Sequence, residues 1–143
     1  MFNLEEAEKM LPQLEGWLRA AIESKKKIAE IETEYAEMVR RLSMSGGQVL
    51  DIAHWIRRKQ EEESSGESLR DAARQIEETG CVVKDLDIGL IDFPCEVEGR
   101  EVYLCWKLGE SSIGFWHNTD EGFAGRKPID ARFTDPFKRM RPM

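Results

Sequence analysis

The sequence has little of what a secreted, membrane-spanning or duplex-binding protein needs. Its three cysteines, Cys81, Cys95 and Cys105, are odd in number and spaced like neither a disulfide framework nor a paired-cysteine zinc knuckle. They read as reduced thiols in a cytoplasmic protein. No apolar run approaches the ~20 residues of a membrane-spanning helix, and Phe2-Asn3 followed by glutamates is no basic leader. Neither secretion nor membrane insertion is expected. Basic excess is missing as well. The 21 Lys and Arg residues face 28 Asp and Glu, a formal net charge of −7, and this sign argues against a duplex-DNA binder, which needs a basic footprint to neutralise phosphates.

What is present is charge in unequal shares. Charged residues make up 34% of 143 residues, more than the usual quarter, and the excess suits exposed helix faces. Residues 1–80 carry 12 basic and 17 acidic groups, residues 81–125 carry 3 and 9, and residues 126–143 carry 6 and 2. The length fits one domain spanning 1–143, read as a helical hairpin over 3–80, a β module over 81–129 and a basic tail over 130–143.

Asn3-Leu4-Glu5-Glu6 has the pattern of a capping box that opens a helix. Apolar residues then recur at alternating spacings of three and four through Leu4, Ala7, Leu11, Leu14, Leu18, Ala21, Ile28, Tyr35, Val39 and Leu42, with Lys25 and Glu32 interrupting the seam, a coiled-coil-like stripe. The stripe keeps its phase across Pro12, which predicts one kinked helix rather than two. Ser43 to Gly47 supplies a tight reversal. A second helix is expected from about Gln48 to Thr79, with Val49, Ile52, Ile56, Leu69, Ala72, Ala73 and Ile76 on its buried side and a weak point at Ser64-Ser65-Gly66. Gly80 is the stop signal. A rod of roughly 60 Å is too long for the remaining chain to cover, so part of the stripe is expected to meet a second copy, giving a homodimer.

Beyond Gly80 the pattern becomes strand-like at Leu90 to Val97, Glu101 to Leu108 and Ile113 to His117, joined by Glu98-Gly99-Arg100 and Gly109 to Ser112. The expected fold is therefore α+β, a long antiparallel helical hairpin followed by a small three-stranded antiparallel β meander. One sheet face should pack near Leu14 and Ile76, and the chain after Gly122 should be irregular.

Leu4-Glu5-Glu6-Ala7 with Leu11-Pro12, Gly89 to Pro94, Leu104-Cys105-Trp106, Gly109-Glu110, Trp116-His117 and Gly122 to Arg126 occur in that order. Together they resemble the prokaryotic domain-of-unknown-function 2203 family across all but the tail. The resemblance implies the segmentation, carries no activity, and places any shared site on or near the meander.

Cys105, Glu110, His117 and Asp120 offer the side-chain types of a zinc or other divalent transition-metal site, in a spacing that matches no established motif. Pairing Leu108 with Ile113 would put Cys105 and His117 on opposite faces, and a shift of one residue would align them. A buried structural cysteine and a hydrogen-bonded histidine are the plainer reading. A Cys105 nucleophile with His117 as base lacks a third orienting group. Gly122 to Arg126 reads as a tight turn with Arg126 paired to Asp92 or Glu110, against an anion loop without the phosphate-binding lysine. Trp106, Trp116, Phe123 and Arg126 are candidates for an interaction surface, with core aromatics as the alternative. His54 fits a structural role beside Asp51 and Arg58.

The leading expectation is a non-enzymatic interaction or assembly protein that dimerises through its hairpin and meets a protein partner, with no cofactor. The alternatives are a metal-dependent hydrolase at the Cys/Glu/His cluster, and single-stranded nucleic-acid binding by Arg132, Lys138, Arg139 and Arg141 interleaved with Phe133 and Phe137.

Overall fold

The computed structural model describes residues 1–46 and 50–134. Helix α1 (Leu4–Ser45) opens as expected. Asn3 Oδ1 accepts from the Glu6 amide at 2.8 Å, and the Asn3 amide donates to Glu6 Oε1 at 2.9 Å, so two donors otherwise orphaned at a helix start are satisfied. The helix runs unbroken through Pro12, which lies on its exposed side, where a carbonyl without its helical partner can be hydrated. Gly46 closes it in the left-handed region at φ 73°, a conformation open to a residue without Cβ. Gly47, Gln48 and Val49, assigned to the reversal and the start of the next helix, lie outside the described residues.

Helix α2 (Ile52–Glu78) starts later than expected because Asp51 is its N-cap, accepting from the His54 amide at 3.0 Å. It is continuous through the weak point at Ser64 to Gly66. Small residues fill this seam: Ala21 and Ser24 of α1 are buried, and Ser65 and Gly66 are half-buried. Ion pairs between the helices flank it, Lys27 to Glu61 at 3.5 Å and Arg58 to Glu34 at 2.7 Å.

The sheet has five strands rather than three, β1 (Val82–Asp85), β2 (Leu90–Val97), β3 (Arg100–Lys107), β4 (Phe115–Asn118) and β5 (Lys127–Pro128), each antiparallel to the next in the order β1-β2-β3-β4-β5. The two additions are the short edges, and β5 tolerates Pro128 because an edge strand has one side free of the hydrogen-bond ladder. Val97 pairs with Arg100, so the loop between β2 and β3 is Glu98-Gly99 alone, with φ of 54° and 77°. Two left-handed residues match the twist of the strands they join. After Gly122 the chain is more regular than expected: a 3-10 turn (Phe123–Gly125), β5 and a short helix α3 (Ala131–Thr134).

One sheet face carries Ile91, Phe93, Cys95, Val102, Leu104, Trp106 and Trp116, and these form a single core with Ala7, Leu11, Leu14 and Leu18 of α1 and Ile76 of α2. Each large aliphatic buried there contributes about 1.5–3 kcal/mol. Phe2 fastens the start of α1 by bridging to Cys95 and stacking edge-on against Phe93 at 5.3 Å. Phe133 of α3 closes the core at Trp116, with ring centroids 5.6 Å apart. The far half of the hairpin has no such cover: Ile52 and Ile56, expected on the buried side, are exposed, as are Tyr35 and Val39. No helix among the described residues is long and apolar enough to cross a membrane.

Candidate functional site

Strand pairing sets Asp92 opposite Cys105 and Tyr103 opposite His117. Side chains two residues apart on a strand share a face, so Asp92, Cys105 and His117 all lie on the face turned away from the helices. Cys105 pairs with Phe115, one residue off the register that pairing Leu108 with Ile113 would give. The loop explains this shift. Trp106 Nε1 donates to the Glu110 carbonyl at 2.9 Å and the Lys107 amide donates to Glu110 Oε1 at 2.8 Å, folding the loop back on β3. Ile113 leaves the strand for the core, and its amide donates to Glu8 Oε1 at 3.3 Å.

The potential ligand atoms of Asp92, Cys105 and His117 lie within 4.8 Å of one another. The three residues are 1%, 0% and 2% exposed, although they stand on the outer face. Tyr103 and Phe115 share this face with them. The Tyr103 ring lies 5.5 Å from that of His117, and the Arg126 guanidinium lies 4.0 Å from the centre of Phe115.

His117 Nδ1 donates to the Asn118 carbonyl at 2.8 Å. A carbonyl only accepts, so Nδ1 carries a proton. The other nitrogen, Nε2, lies 3.0 Å from Asp92 Oδ2, and a proton between them belongs to the pair. Asp92 Oδ1 is buried without a hydrogen-bond partner among the described residues. Burial, and next the negative charge of Asp92, push the Cys105 thiol up to about 12. A buried thiol held protonated is a poor nucleophile, and the Nε2 that would serve as its base is turned to Asp92.

Of the four residues read as metal ligands, Cys105 and His117 therefore converge and Glu110 and Asp120 stay apart. Glu110 is taken up by Arg126 Nη2 at 2.8 and 2.9 Å and by the Lys107 amide at the end of β3. Asp120 is exposed in the turn after β4. Asp92 was missed as the third member. Its signal was a lone carboxylate in the apolar run Leu90-Ile91-Asp92-Phe93, where burial without a partner is costly.

The turn at Gly122 to Arg126 closes as expected, with Arg126 paired to Glu110 rather than Asp92. Lys127 pairs closely with Glu121, and the amide and side chain of Asn118 both donate to the same carboxylate at 2.9 Å. The Lys127 bond first, and then the Asn118 amide, hold Glu121 at about 2. Trp106 and Trp116, read as part of a partner surface, are in the core, and Arg126 is mostly covered; Phe123 is exposed. In the tail, Arg132 pairs with Asp130 at 2.9 Å and lies over Trp116, while Phe133 is buried. Phe137, Lys138, Arg139 and Arg141 lie outside the described residues.

At the other end of the molecule, His54 Nε2 lies 2.6 Å from Glu34 and Arg58 donates to the same carboxylate at 2.7 Å. The His54 bond first, and then that of Arg58, hold Glu34 below the usual carboxylate range. Tyr35 meets Trp55 edge-on at 5.6 Å.

The sequence model of a family described as "Uncharacterized conserved protein (DUF2203)" matches residues 1–129, taking in both long helices and all five strands. No curated protein and no solved structure matches the chain.

Proposed function

From the premise that this chain belongs to the DUF2203 family of uncharacterized conserved proteins, we propose that it is a non-enzymatic assembly protein whose hairpin pairs with a second copy through its far half, leaving the two sheet heads outermost. One observation carries this reading: Tyr35, Val39, Met44, Leu50, Ile52 and Ile56, all at the hairpin end remote from the sheet, are between 40% and 83% exposed. The described buried residues of α2, Ala72 and Ile76, both lie near the head. A cluster of large apolar side chains rimmed by charge marks an interface, whereas single exposed ones are ordinary.

A second copy is the occupant that the composition of the patch supports. The same stretches of chain carry Glu34, Glu37 and Asp51 with Arg40, Arg41, Arg57 and Arg58, so this end can face itself across a two-fold axis without meeting a single sign of charge. Two antiparallel hairpins laid together make a four-helix bundle, in which each stripe closes the other. A cytoplasmic setting is consistent with cysteines that are buried and form no disulfide.

The hydrolase alternative is the weaker reading, because Asp92, Cys105 and His117 are at most 2% exposed and present no surface on which a substrate could lie. Sedimentation of the full chain tests the proposal: a dimer at micromolar concentration is expected, with Ile52→Glu/Ile56→Glu shifting it to monomer without loss of helix content. A wild-type monomer at high concentration overturns it.

A further inference from the structure

We propose that Asp92, Cys105 and His117 bind one transition-metal ion of the zinc type, through a carboxylate oxygen, a thiolate sulfur and His117 Nε2. The case rests on three features of the cluster and is independent of dimerisation. The first is how the histidine is held. Its Nδ1 proton is committed to the Asn118 carbonyl at 2.8 Å, which fixes the tautomer and turns Nε2 toward Asp92 and Cys105. That is how metal-binding imidazoles are characteristically oriented. Asn118 is itself pinned to Glu121 through its amide at 2.9 Å, so the ring stands on a supported turn.

The second feature is the unmet demand of Asp92. One of its oxygens faces His117 at 3.0 Å, while the other is buried with no partner in hydrogen-bond geometry among the described residues, the Cys105 thiol being a weak donor close to the carboxylate. Buried carboxylate oxygens are nearly always satisfied, and a cation between the three side chains would supply what is missing. A divalent ion with one thiolate, one carboxylate and one neutral imidazole sums to zero charge, the least costly state to bury. The nearby Arg126 does not oppose the ion as a lone cation, since Glu110 neutralises it at 2.8 Å.

The third feature is distance and donor type. Tetrahedral zinc with bonds of about 2.0–2.3 Å places its ligand atoms about 3.3–3.8 Å apart, and here they already lie within 4.8 Å. Small side-chain adjustments on three paired strands close the difference without moving a helix. One sulfur, one imidazole and one carboxylate select zinc or cobalt over magnesium or calcium. Such an ion takes Cys105 as its thiolate, so binding displaces the thiol proton.

The test uses the full chain purified without an affinity tag that carries metal, stripped by chelator and titrated with cobalt(II), then zinc. The expected result is saturation at one ion per chain, a near-ultraviolet sulfur-to-cobalt charge-transfer band, release of protons, and displacement of the band by zinc. Cys105→Ser should abolish the band, Asp92→Asn and His117→Gln should weaken binding at least tenfold, and Asp120→Asn should leave it unchanged. No saturable uptake by the wild type overturns the proposal, as does a band that survives Cys105→Ser. Should Cys105→Ser fail to fold, the wild-type band decides, and its absence is equally fatal.

Discussion

Leu14 and Ile56 sit on helical stripes of the same kind, yet Leu14 is fully enclosed while Ile56 stands 55% exposed. The near half of the hairpin has a sheet to lie on. There Ile91, Phe93, Leu104 and Trp106 meet Leu11, Leu14, Leu18 and Ile76 in one core. The far half has only its own partner helix, and a pair of helices buries one side of each. The contrast teaches that apolar periodicity reports that a face needs cover without saying what provides it.

Mutations at the two ends should differ most sharply. Leu14→Ala leaves a cavity under the sheet and should lower stability by about 2–5 kcal/mol, equally at every protein concentration, as read by chemical denaturation. Gly89→Ala comes next. Gly89 has φ 69°, and an added Cβ would lie 2.4 Å from Leu108 Cβ. The left-handed backbone alone costs about 1–2 kcal/mol, and the clash adds to it. Thermal unfolding of this variant should show a lower midpoint with an unchanged helix signal in the surviving fold. Asn3→Ala removes half of the capping box and should cost about 1 kcal/mol.

At the far end the effect should be smaller and of another kind. Ile56→Ser should shift the stability of the isolated chain by less than about 0.5 kcal/mol while weakening dimerisation in sedimentation runs. A loss as large as that of Leu14→Ala in dilute solution would erase the contrast. Acid should blur it slightly, because both halves contain a depressed carboxyl. Glu121 lies at about 2 against an ordinary 4.5, so its contribution is complete above 4.5 and is lost as pH falls toward 2. Glu34, lowered by His54 and Arg58, acts in the same direction. Glu121→Gln should flatten the acid limb of an unfolding curve followed by circular dichroism.

Much of this architecture was legible because local chemistry and global fold agree. The capping box at Asn3, the stripe through Leu14 and Leu18, and the strand Leu90–Val97 each carry their own signal. The edges β1 and β5 were not, since Val82–Asp85 has two apolar residues and Lys127–Pro128 contains a proline. Helix α2 was legible as one element, and Ser64 to Gly66, weak by propensity, stays helical because the helix beside it supplies the support. For the cluster, composition pointed to Cys105 and His117, but their convergence hung on a one-residue register set by the Glu110 loop. The lone carboxylate of Asp92 in an apolar run signals only that it needs a partner, and its place in the cluster comes from pairing with Cys105. For Trp106 and Trp116 the choice between surface and core stayed open for a related reason: which face of a small sheet is covered depends on where the helices lie, and both rings are in the core.

Hydrogen exchange at several protein concentrations compares the two halves in a single sample. The account predicts that amides of residues 35–42 and 52–56 gain protection as concentration rises through the dimerisation range, while those of residues 11–18 and 91–106 stay equally protected throughout. Protection in the far half that is independent of concentration would contradict it.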